Sequence, residues 1–233
     1  MKFTKIFIAA TGLLVLSVSA LWPGDSAFFV DLGFSQDGSH YMFGQYGVQA
    51  DTLKPWADLF IVDVAKNNFV SGGRNSYTHD RPIDPGQDGA GALYRLIARN
   101  VSLAERYGVT YLSQGQPLYI SLEGDPAYSG ETITFRDFVS GASYRANLVE
   151  TISGSGSSLA SRFYINLECT GGDGSHRSFR VGTPDFSRPL ISSYRIKKAL
   201  IAPSGNAIIF VIEMKRQSTG GHDIRYMVEA LRF

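Results

Sequence analysis

Apolar positions along the chain follow two patterns that are typical of β-strands. Residues 58–64 and 207–213 are nearly continuous apolar runs, as expected for strands that are covered on both faces. Residues 118–122, 132–136 and 144–148 alternate apolar with polar side chains, which predicts strands with one face on a core and the other in water. The pattern therefore predicts a mainly β protein, built as an antiparallel β-sandwich or as partial propeller-like sheets.

One segment departs from these patterns and predicts a single amphipathic helix over about residues 90–107. Its apolar stripe recurs at helical spacing and consists of Leu93, Ile97, Val101 and Ala104. Asp88 is placed to cap the first turn, and Gly108 to end the last. Three arginines fall largely away from the stripe, namely Arg95, Arg99 and Arg106. A solvated helix face explains them better than an anion-binding patch.

The first twenty residues have the three parts of a secretory signal peptide. Lys2 and Lys5 form a positive head, residues 6–16 form an apolar run, and small residues lead to Ala20. We expect cleavage after Ala20. Ala27 is a poorer site because Asp25 would lie three residues before the cut, and an uncleaved N-terminal anchor is the other alternative. The apolar run is shorter than the ~20 residues that a membrane span needs.

The composition of the remaining chain predicts one exported domain over residues 21–233. The sequence has 22 basic and 21 acidic side chains, so it offers no electrostatic footprint for nucleic acid. Its 25 glycines and 12% aromatic residues favour a turn-rich β protein. No later segment is long and apolar enough to span a membrane, so we expect a periplasmic or secreted product.

The chain has a single cysteine, so an intramolecular disulfide is excluded. Cys169 follows Phe163, Ile165 and Leu167 at a spacing of two residues. This alternation places Cys169 on the apolar face of a strand and predicts a buried, unreactive thiol.

The two ends of the chain contain a repeat. Residues 34–43 align with residues 201–210, which places Gly38 over Gly205. Each copy predicts a β-hairpin whose glycine occupies a turn position that tolerates positive φ.

A third strand follows each hairpin, because residues 58–65 align with residues 223–230. The two blade-like hairpin units then span residues 31–70 and 194–233. Their layout resembles the blades of WD-repeat and TolB-like proteins. In those proteins a run of the type FSPDG begins the hairpin, and residues 34–38 of this chain read FSQDG. A closed propeller needs at least four such blades, and the sequence shows only two copies.

A longer resemblance covers about a third of the chain. Residues 30–49, 59–73, 194–213 and 224–233 are similar, in this order, to a bacterial family of predicted secreted proteins, domain of unknown function 2259. The resemblance implies export and a shared fold. It implies no activity, substrate, partner or catalytic residue.

Side chains that carry chemistry are scattered. The four histidines are His40, His79, His176 and His222, and none has the spacing of a zinc site. Asp80, Asp84 and Asp88 are four residues apart, whereas a calcium loop of the EF-hand type needs alternate positions. We therefore expect no metal, no cofactor and no recognisable catalytic residue, and a turn ending in a helix cap explains the three aspartates.

The leading hypothesis is a non-enzymatic module that binds an envelope protein or a glycan. A glycan would stack on exposed tyrosines or on Trp56, and tyrosine-rich loops are common at binding surfaces. One alternative is a cell-wall or glycan hydrolase with two carboxylates from among Glu123, Glu131 and Glu150, although each is expected to be solvated.

A second alternative is an outer-membrane β-barrel, since the exported, strand-rich chain ends in Phe233. Counting back by twos from Phe233, however, the lipid-facing row would include Glu229 and Arg225. Charged side chains are costly on the lipid face, which argues against this alternative.

Overall fold

The computed structural model describes residues 24–84, 86–122, 132–218 and 221–233, which form fourteen β-strands and two α-helices. The predicted signal peptide at residues 1–20 lies outside the described residues. In chain order the elements are β1 (Phe28–Ser35), β2 (His40–Val48), β3 (Pro55–Asp63), β4 (Asn68–Thr78), α1 (Ala90–Arg99), α2 (Val101–Arg106), β5 (Val109–Thr110), β6 (Gln116–Ile120), β7 (Thr132–Arg136), β8 (Ser143–Ser153), β9 (Ala160–Thr170), β10 (His176–Val181), β11 (Arg188–Pro189), β12 (Ile191–Ile201), β13 (Ala207–Ser218) and β14 (Gly221–Arg232).

The strands form three antiparallel sheets. The first sheet has the order β4-β3-β2-β1-β5, and the central sheet has the order β14-β13-β12-β6. The third sheet has the order β10-β9-β8-β7, with β11 also pairing with β9. The expectation of a mainly β protein built from antiparallel sheets is confirmed.

The central sheet is covered on both faces, which explains the continuous apolar run in β13. Ile209 and Val211 pack in a cluster with the first sheet. Ile208 and Phe210 point the opposite way and pack in a cluster with the third sheet. Residues 207–212 are all fully buried as a result.

The outer face of the first sheet is covered by α1. Leu93 and Leu96 of this helix pack in one cluster with Leu59 and Ile61 of β3. The apolar stripe of the helix and the apolar face of the strand thus bury each other, which is the usual way for an amphipathic helix to be stabilised.

The predicted continuous helix over residues 90–107 is wrong at its middle. Asn100 separates α1 from α2, and its side-chain Nδ2 donates to the Leu96 carbonyl oxygen at 2.8 Å. Short amide side chains compete in this way with the regular hydrogen bonds of a helix. The buried stripe also shifts, because Val101 is exposed whereas Leu96 is buried.

The polar residues around these helices have defined contacts. Asp88 Oδ1 accepts the first N–H of α1 at 2.9 Å, and Gly108, with φ 64°, follows the end of α2. Arg95 Nη1 donates to Tyr77 Oη at 2.7 Å, and the Arg99 guanidinium lies 4.7 Å from the centre of the Tyr77 ring. These two arginines are exposed, as a solvated helix face predicts, and each also contacts Tyr77 of the first sheet.

The repeated hairpins have matching turns. Gly38 has φ 70° and donates its N–H to the Ser35 carbonyl oxygen at 2.9 Å. Gly205 has φ 69° and donates to the Ala202 carbonyl oxygen at 2.8 Å. Both glycines are in the left-handed region, which residues with a side chain adopt only with strain.

The third strand of each unit is β3 or β14, and the sequence alignment places these two strands in the wrong register relative to each other. Phe43 pairs with Phe60 in the first unit, and the equivalent Phe210 pairs with Glu229 in the second. The sequence alignment matches Phe60 with Arg225 instead, which is wrong by four residues. The reason is length, because β13 and β14 have 12 residues each whereas β2 and β3 have 9.

The two units have the same orientation in the stack of sheets. In the first unit, Phe34 and Tyr41 face the central sheet. Their equivalents in the second unit, Ile201 and Ile208, face the third sheet. Each unit therefore presents the same face to the next sheet.

Cys169 is buried, as its position in an alternating strand predicts. It lies in β9 as a free cysteine in the cluster between the central and third sheets.

In the described part of the chain, no helix combines the length and the apolar character that crossing a membrane would require.

Candidate functional site

A cleft of about 580 Å³ lies along the outer edge of β14. Residues 226–229 of β14 form one wall, and the facing wall comes from β2, β3 and β4 of the first sheet. Residues 183–189, between β10 and the central sheet, close one side. The volume is in the usual range for ligand sites, and such sites occur where separate structural layers meet.

Side chains and the N-terminal segment pair with three of the outward N–H groups of β14. The Ile224 N–H donates to the Asp25 carbonyl oxygen at 2.8 Å, and the Tyr226 N–H donates to Gln45 Oε1 at 2.8 Å. The Ala230 N–H donates to Asn67 Oδ1 at 2.7 Å. Val228 lies between them on the same edge and lines the cleft, and none of the described residues accepts its N–H.

Gln45 is held in place by a second contact. Its side-chain Nε2 donates to Asp58 Oδ2 at 3.0 Å, which orients the amide so that Oε1 faces the Tyr226 N–H. The Tyr226 hydroxyl in turn donates to Glu213 Oε2 at 3.1 Å. This chain of contacts fixes the polar wall of the cleft.

A buried ion pair forms the floor of the cleft. Arg188 Nη2 lies 3.2 Å from Glu229 Oε1, and the two side chains are only 12% and 4% exposed. Asn67 Nδ2 donates to the other carboxylate oxygen of Glu229. Gly182 leaves room for this carboxylate, since a Cβ atom there would be 3.2 Å from Glu229 Cδ.

The electrostatics of Glu229 reflect this burial. Loss of water around the carboxylate raises the pKa of Glu229, whereas the hydrogen bond from Asn67 and the charge of Arg188 act in the opposite direction. Both carboxylate oxygens already have protein partners. Glu229 is therefore suited to positioning Arg188 and Asn67, and it is poorly placed to attack or protonate a ligand.

Aromatic rings surround the other partner of the pair. The Arg188 guanidinium lies 4.7 Å from the ring centre of Phe163, 4.9 Å from that of Phe186 and 6.0 Å from that of Tyr194. Arginine over an aromatic face is a favourable cation–π contact. The guanidinium is thus held by rings on several sides and by a carboxylate.

The mouth of the cleft combines exposed rings with exposed arginines. Phe69 is 39% exposed and Phe186 is 58% exposed. Arg74 lies 5.1 Å from the Phe69 ring centre, and Arg216 is a second exposed arginine of the lining. Neither Arg74 nor Arg216 forms an ion pair with a carboxylate of the described residues. The mouth can therefore accept an anionic group beside an apolar ring.

Of the three glutamates predicted as paired carboxylates, Glu150 is the one that the structure describes, and it does not line this cleft. Glu123 and Glu131 lie outside the described residues. Glu150 lies in β8, where its Oε2 accepts the Tyr194 N–H at 3.1 Å. Burial raises the pKa of Glu150, so the expectation that this side chain is simply solvated is wrong.

The prediction that Trp56 could stack on a glycan is wrong. Trp56 is buried, and the Arg225 guanidinium covers it at 4.2 Å from the ring centre. Arg225 Nη2 also lies 3.2 Å from Asp25 Oδ2. This tryptophan therefore belongs to the contacts that hold the N-terminal segment.

Three of the four histidines have a defined hydrogen-bond contact through Nδ1. His40 Nδ1 lies 2.9 Å from Ser39 Oγ, His176 Nδ1 lies 3.0 Å from Thr170 Oγ1, and His79 Nδ1 accepts the Arg81 N–H at 3.0 Å. Over the ranges that the structure describes, no group of three or more histidine, cysteine, aspartate or glutamate side chains is arranged to hold a metal ion.

Sequence reasoning missed the residues that form the cleft. The sequence patterns place Glu229 only in the charged row of a strand and indicate no role for Arg188 or Asn67. The only signal is a charged residue in the otherwise apolar stretch 226–231, where Glu229 stands between Val228 and Ala230. Its partners come from distant segments, which no local pattern identifies.

Comparison with known families decides the assignment of the chain. The family described as predicted secreted protein (DUF2259) matches residues 42–232. The chain belongs to this family. The match extends from β2 to the end of β14 and so includes every strand that lines the cleft. No curated protein and no solved structure matches the chain. The DUF2259 description agrees with the predicted export.

Proposed function

We propose that this DUF2259 protein is a non-enzymatic binding protein of the cell envelope, located in the periplasm or secreted. Its cleft at the edge of β14 holds a glycan that carries carboxylate groups. The observation that carries the proposal is the mouth of the cleft, where exposed Arg74 and Arg216 have no carboxylate partner among the described residues and lie with exposed Phe69 and Phe186.

The choice of ligand follows from the chemistry of the lining. A guanidinium group pairs with a carboxylate through two parallel hydrogen bonds, which gives direction as well as attraction. Flat aromatic faces offer apolar area to a sugar ring, and side-chain amides offer both donors and acceptors. Asn68 provides such an amide in the same lining, whereas the amides of Gln45 and Asn67 already pair with Asp58, Glu229 and the edge of β14. An acidic sugar chain uses all three kinds of group.

A binding role is favoured over hydrolysis by the state of the carboxylates in the cleft. Glu229 has both oxygens occupied by Arg188 and Asn67, and Asp58 accepts from Gln45. A glycosidase needs one carboxyl group that can donate a proton and another at a defined separation. The carboxylates of this cleft instead orient neighbouring donors.

The proposal is tested by titration calorimetry of the protein with three soluble polymers. Polygalacturonate supplies carboxylated sugars, dextran supplies neutral sugars, and polyglutamate supplies carboxylates without sugars. We expect binding of polygalacturonate alone, weakened by added salt because exposed charges are screened. Equal binding of polyglutamate would show a purely electrostatic contact and would overturn the assignment to glycans, as would no binding of polygalacturonate.

Three variants and one control locate the site. Each of Arg74→Ala, Arg216→Ala and Phe186→Ala is expected to weaken polygalacturonate binding about tenfold, the effect of losing one charged hydrogen bond or one ring contact. The control is Arg106→Ala, which removes the same charge from an exposed position on α2, outside the cleft. If the control weakens binding as much as the cleft variants do, the cleft is not the site.

A further inference from the structure

We propose a second binding site on this protein: the open edge of β1, with the apolar groove beside it, binds an uncharged apolar segment of a partner protein in extended conformation. The segment adds to the first sheet as a further strand. This site lies on the outer face of the first sheet, the face that α1 also covers, and is independent of the cleft at β14.

The first observation is the open edge. One edge of β1 pairs with β2 from Phe28 to Phe34. The opposite edge pairs with β5, but only at Phe34 and Ser35. Within the described ranges, no strand pairs with this second edge over Phe28–Leu32. An edge strand of this kind is a template for another extended chain. Natural edges are often protected by lysine, proline, a charge or a bulge; Phe28–Leu32 has no lysine or proline, and its one charge, Asp31, is partly buried and accepts the Gly33 N–H at 3.0 Å, next to the register irregularity that ends the open segment.

The second observation is a groove of about 480 Å³ beside this edge. It lies between β1 and α1, and none of its lining side chains is an acid, a lysine, an arginine or a histidine. Val30 and Leu32 of β1 both line it, so alternate side chains of an added strand would point to the same face. Gly44 allows the close approach of Leu93 that forms the back of the groove, since a Cβ atom there would be 2.6 Å from Leu93 Cδ1.

The third observation is the rim. Phe28 is 60% exposed and stacks on Tyr46 with 5.3 Å between ring centres. Tyr94 is 72% exposed and Tyr111 is 64% exposed, and both line the groove. Exposed tyrosines around an apolar pocket are typical of the residues that dominate binding energy in protein interfaces.

Together these observations select one kind of occupant. The open backbone edge favours a polypeptide over a lipid chain or a small apolar molecule, because only a polypeptide can pair with backbone groups along a strand. The lack of charge in the groove favours apolar side chains, because a charged group would lose its water without gaining a partner. The occupant is therefore an extended segment with apolar residues at alternate positions.

The test uses an array of octapeptides with the full protein. In one set, alternate positions carry Val, Leu, Phe or Tyr and the intervening positions carry Ser or Thr; in two matched sets the apolar positions carry Lys or Glu. We expect binding only in the uncharged set. Hydrogen exchange should then slow at the amides of Phe28–Leu32 when the strongest peptide is added, because strand pairing protects them.

Variants decide whether the groove is the site. Tyr94→Ala and Tyr111→Ala are expected to weaken binding of the strongest peptide at least tenfold, and both side chains are exposed, so the fold should persist. Phe138→Ala, an exposed aromatic residue outside the groove, should leave binding unchanged. The proposal is overturned if no array peptide binds, if the variants match the control, or if protection appears elsewhere. Dodecanoate that binds in the groove while no peptide protects β1 would also overturn it.

Discussion

Gly38 lies directly against Ser204, so the turns of the two repeated hairpins are in contact. A Cβ atom on Gly38 would be 2.4 Å from Ser204 Oγ, which is much closer than side-chain atoms approach one another. The reverse is not true, since a Cβ atom on Gly205 would have no heavy atom within 4 Å. The turns have nearly equal φ angles of 70° and 69° but different surroundings.

This asymmetry predicts different costs for the same substitution. Gly205→Ala should lower the free energy of unfolding by about 1–2 kcal/mol, the strain of a side chain at positive φ. Gly38→Ala should cost more, because Ser204 must also move. Urea denaturation of the two variants measures the difference. Equal losses would mean that Ser204 moves aside without cost, which would contradict a tight contact between the turns.

The buried pair of Arg188 and Glu229 predicts strong coupling between two substitutions. Arg188→Met should lower the free energy of unfolding by about 3–5 kcal/mol, because it leaves a buried carboxylate without its cation. Adding Glu229→Gln should recover part of this loss, since the amide carries no charge. Denaturation of both single variants and the double variant measures the coupling. Simply additive losses would contradict an energetic link between the two side chains.

The raised pKa of Glu229 predicts a pH dependence with a definite sign. Folding favours the protonated form, so the contribution of this group to stability is greatest below its usual pKa of 4.5 and is lost as pH rises through the raised folded value. The difference in unfolding free energy between the native protein and Glu229→Gln should therefore fall as pH increases from about 4 to 7.

Asp31 and Glu150 also have pKa values raised by burial, but they contribute equally to the native protein and to Glu229→Gln. Subtracting the unfolding free energies of the two proteins therefore removes their contributions. The measurement is a series of denaturation curves at fixed ionic strength. If the difference instead rises with pH, the charge of Arg188 outweighs the burial of the carboxylate, and the pKa of Glu229 is lowered in the folded protein.

Local patterns predicted the strands because their causes are local. The alternation in β8 and the continuous run in β13 follow from whether a sheet is covered on one face or on both. The break at Asn100 escaped prediction because one side-chain hydrogen bond, to Leu96, decides it. The offset of the third strands escaped because it depends on the length of the β13–β14 hairpin, which an alignment of short motifs does not register.

The candidate site was much harder to predict than the fold. Asn67 follows β3, Arg188 lies in β11 and Glu229 lies in β14, so the three side chains meet only after three separate segments have folded. Trp56 is a candidate for glycan stacking from the sequence because aromatic residues often bind sugars, yet in the fold Arg225 covers its ring. Contacts over such distances along the chain leave no periodic signal in the sequence.

The contacts of Asp25 predict where the folded chain must begin. The Asp25 N–H donates to Asp223 Oδ1 at 3.0 Å, its carbonyl oxygen accepts from Ile224, and its Oδ1 accepts the Ala50 N–H at 2.6 Å. Arg225 adds the ion pair to Asp25 Oδ2 at 3.2 Å. A signal-peptide cut after Ala20 would preserve all of these contacts, whereas a cut after Ala27 would remove them.

Chains that begin at residue 21 and at residue 28 should therefore differ in stability. We expect the shorter chain to lose about 2–4 kcal/mol of unfolding free energy, because Arg225 and Asp223 lose their hydrogen-bonded partner and the edge of β14 loses its pairing at Ile224. Asp25→Ala in the longer chain should reproduce part of this loss, whereas Ser26→Ala, an exposed neighbour, should not. Equal midpoints for the two chains in urea would show that Asp25 adds nothing to the stability of the fold.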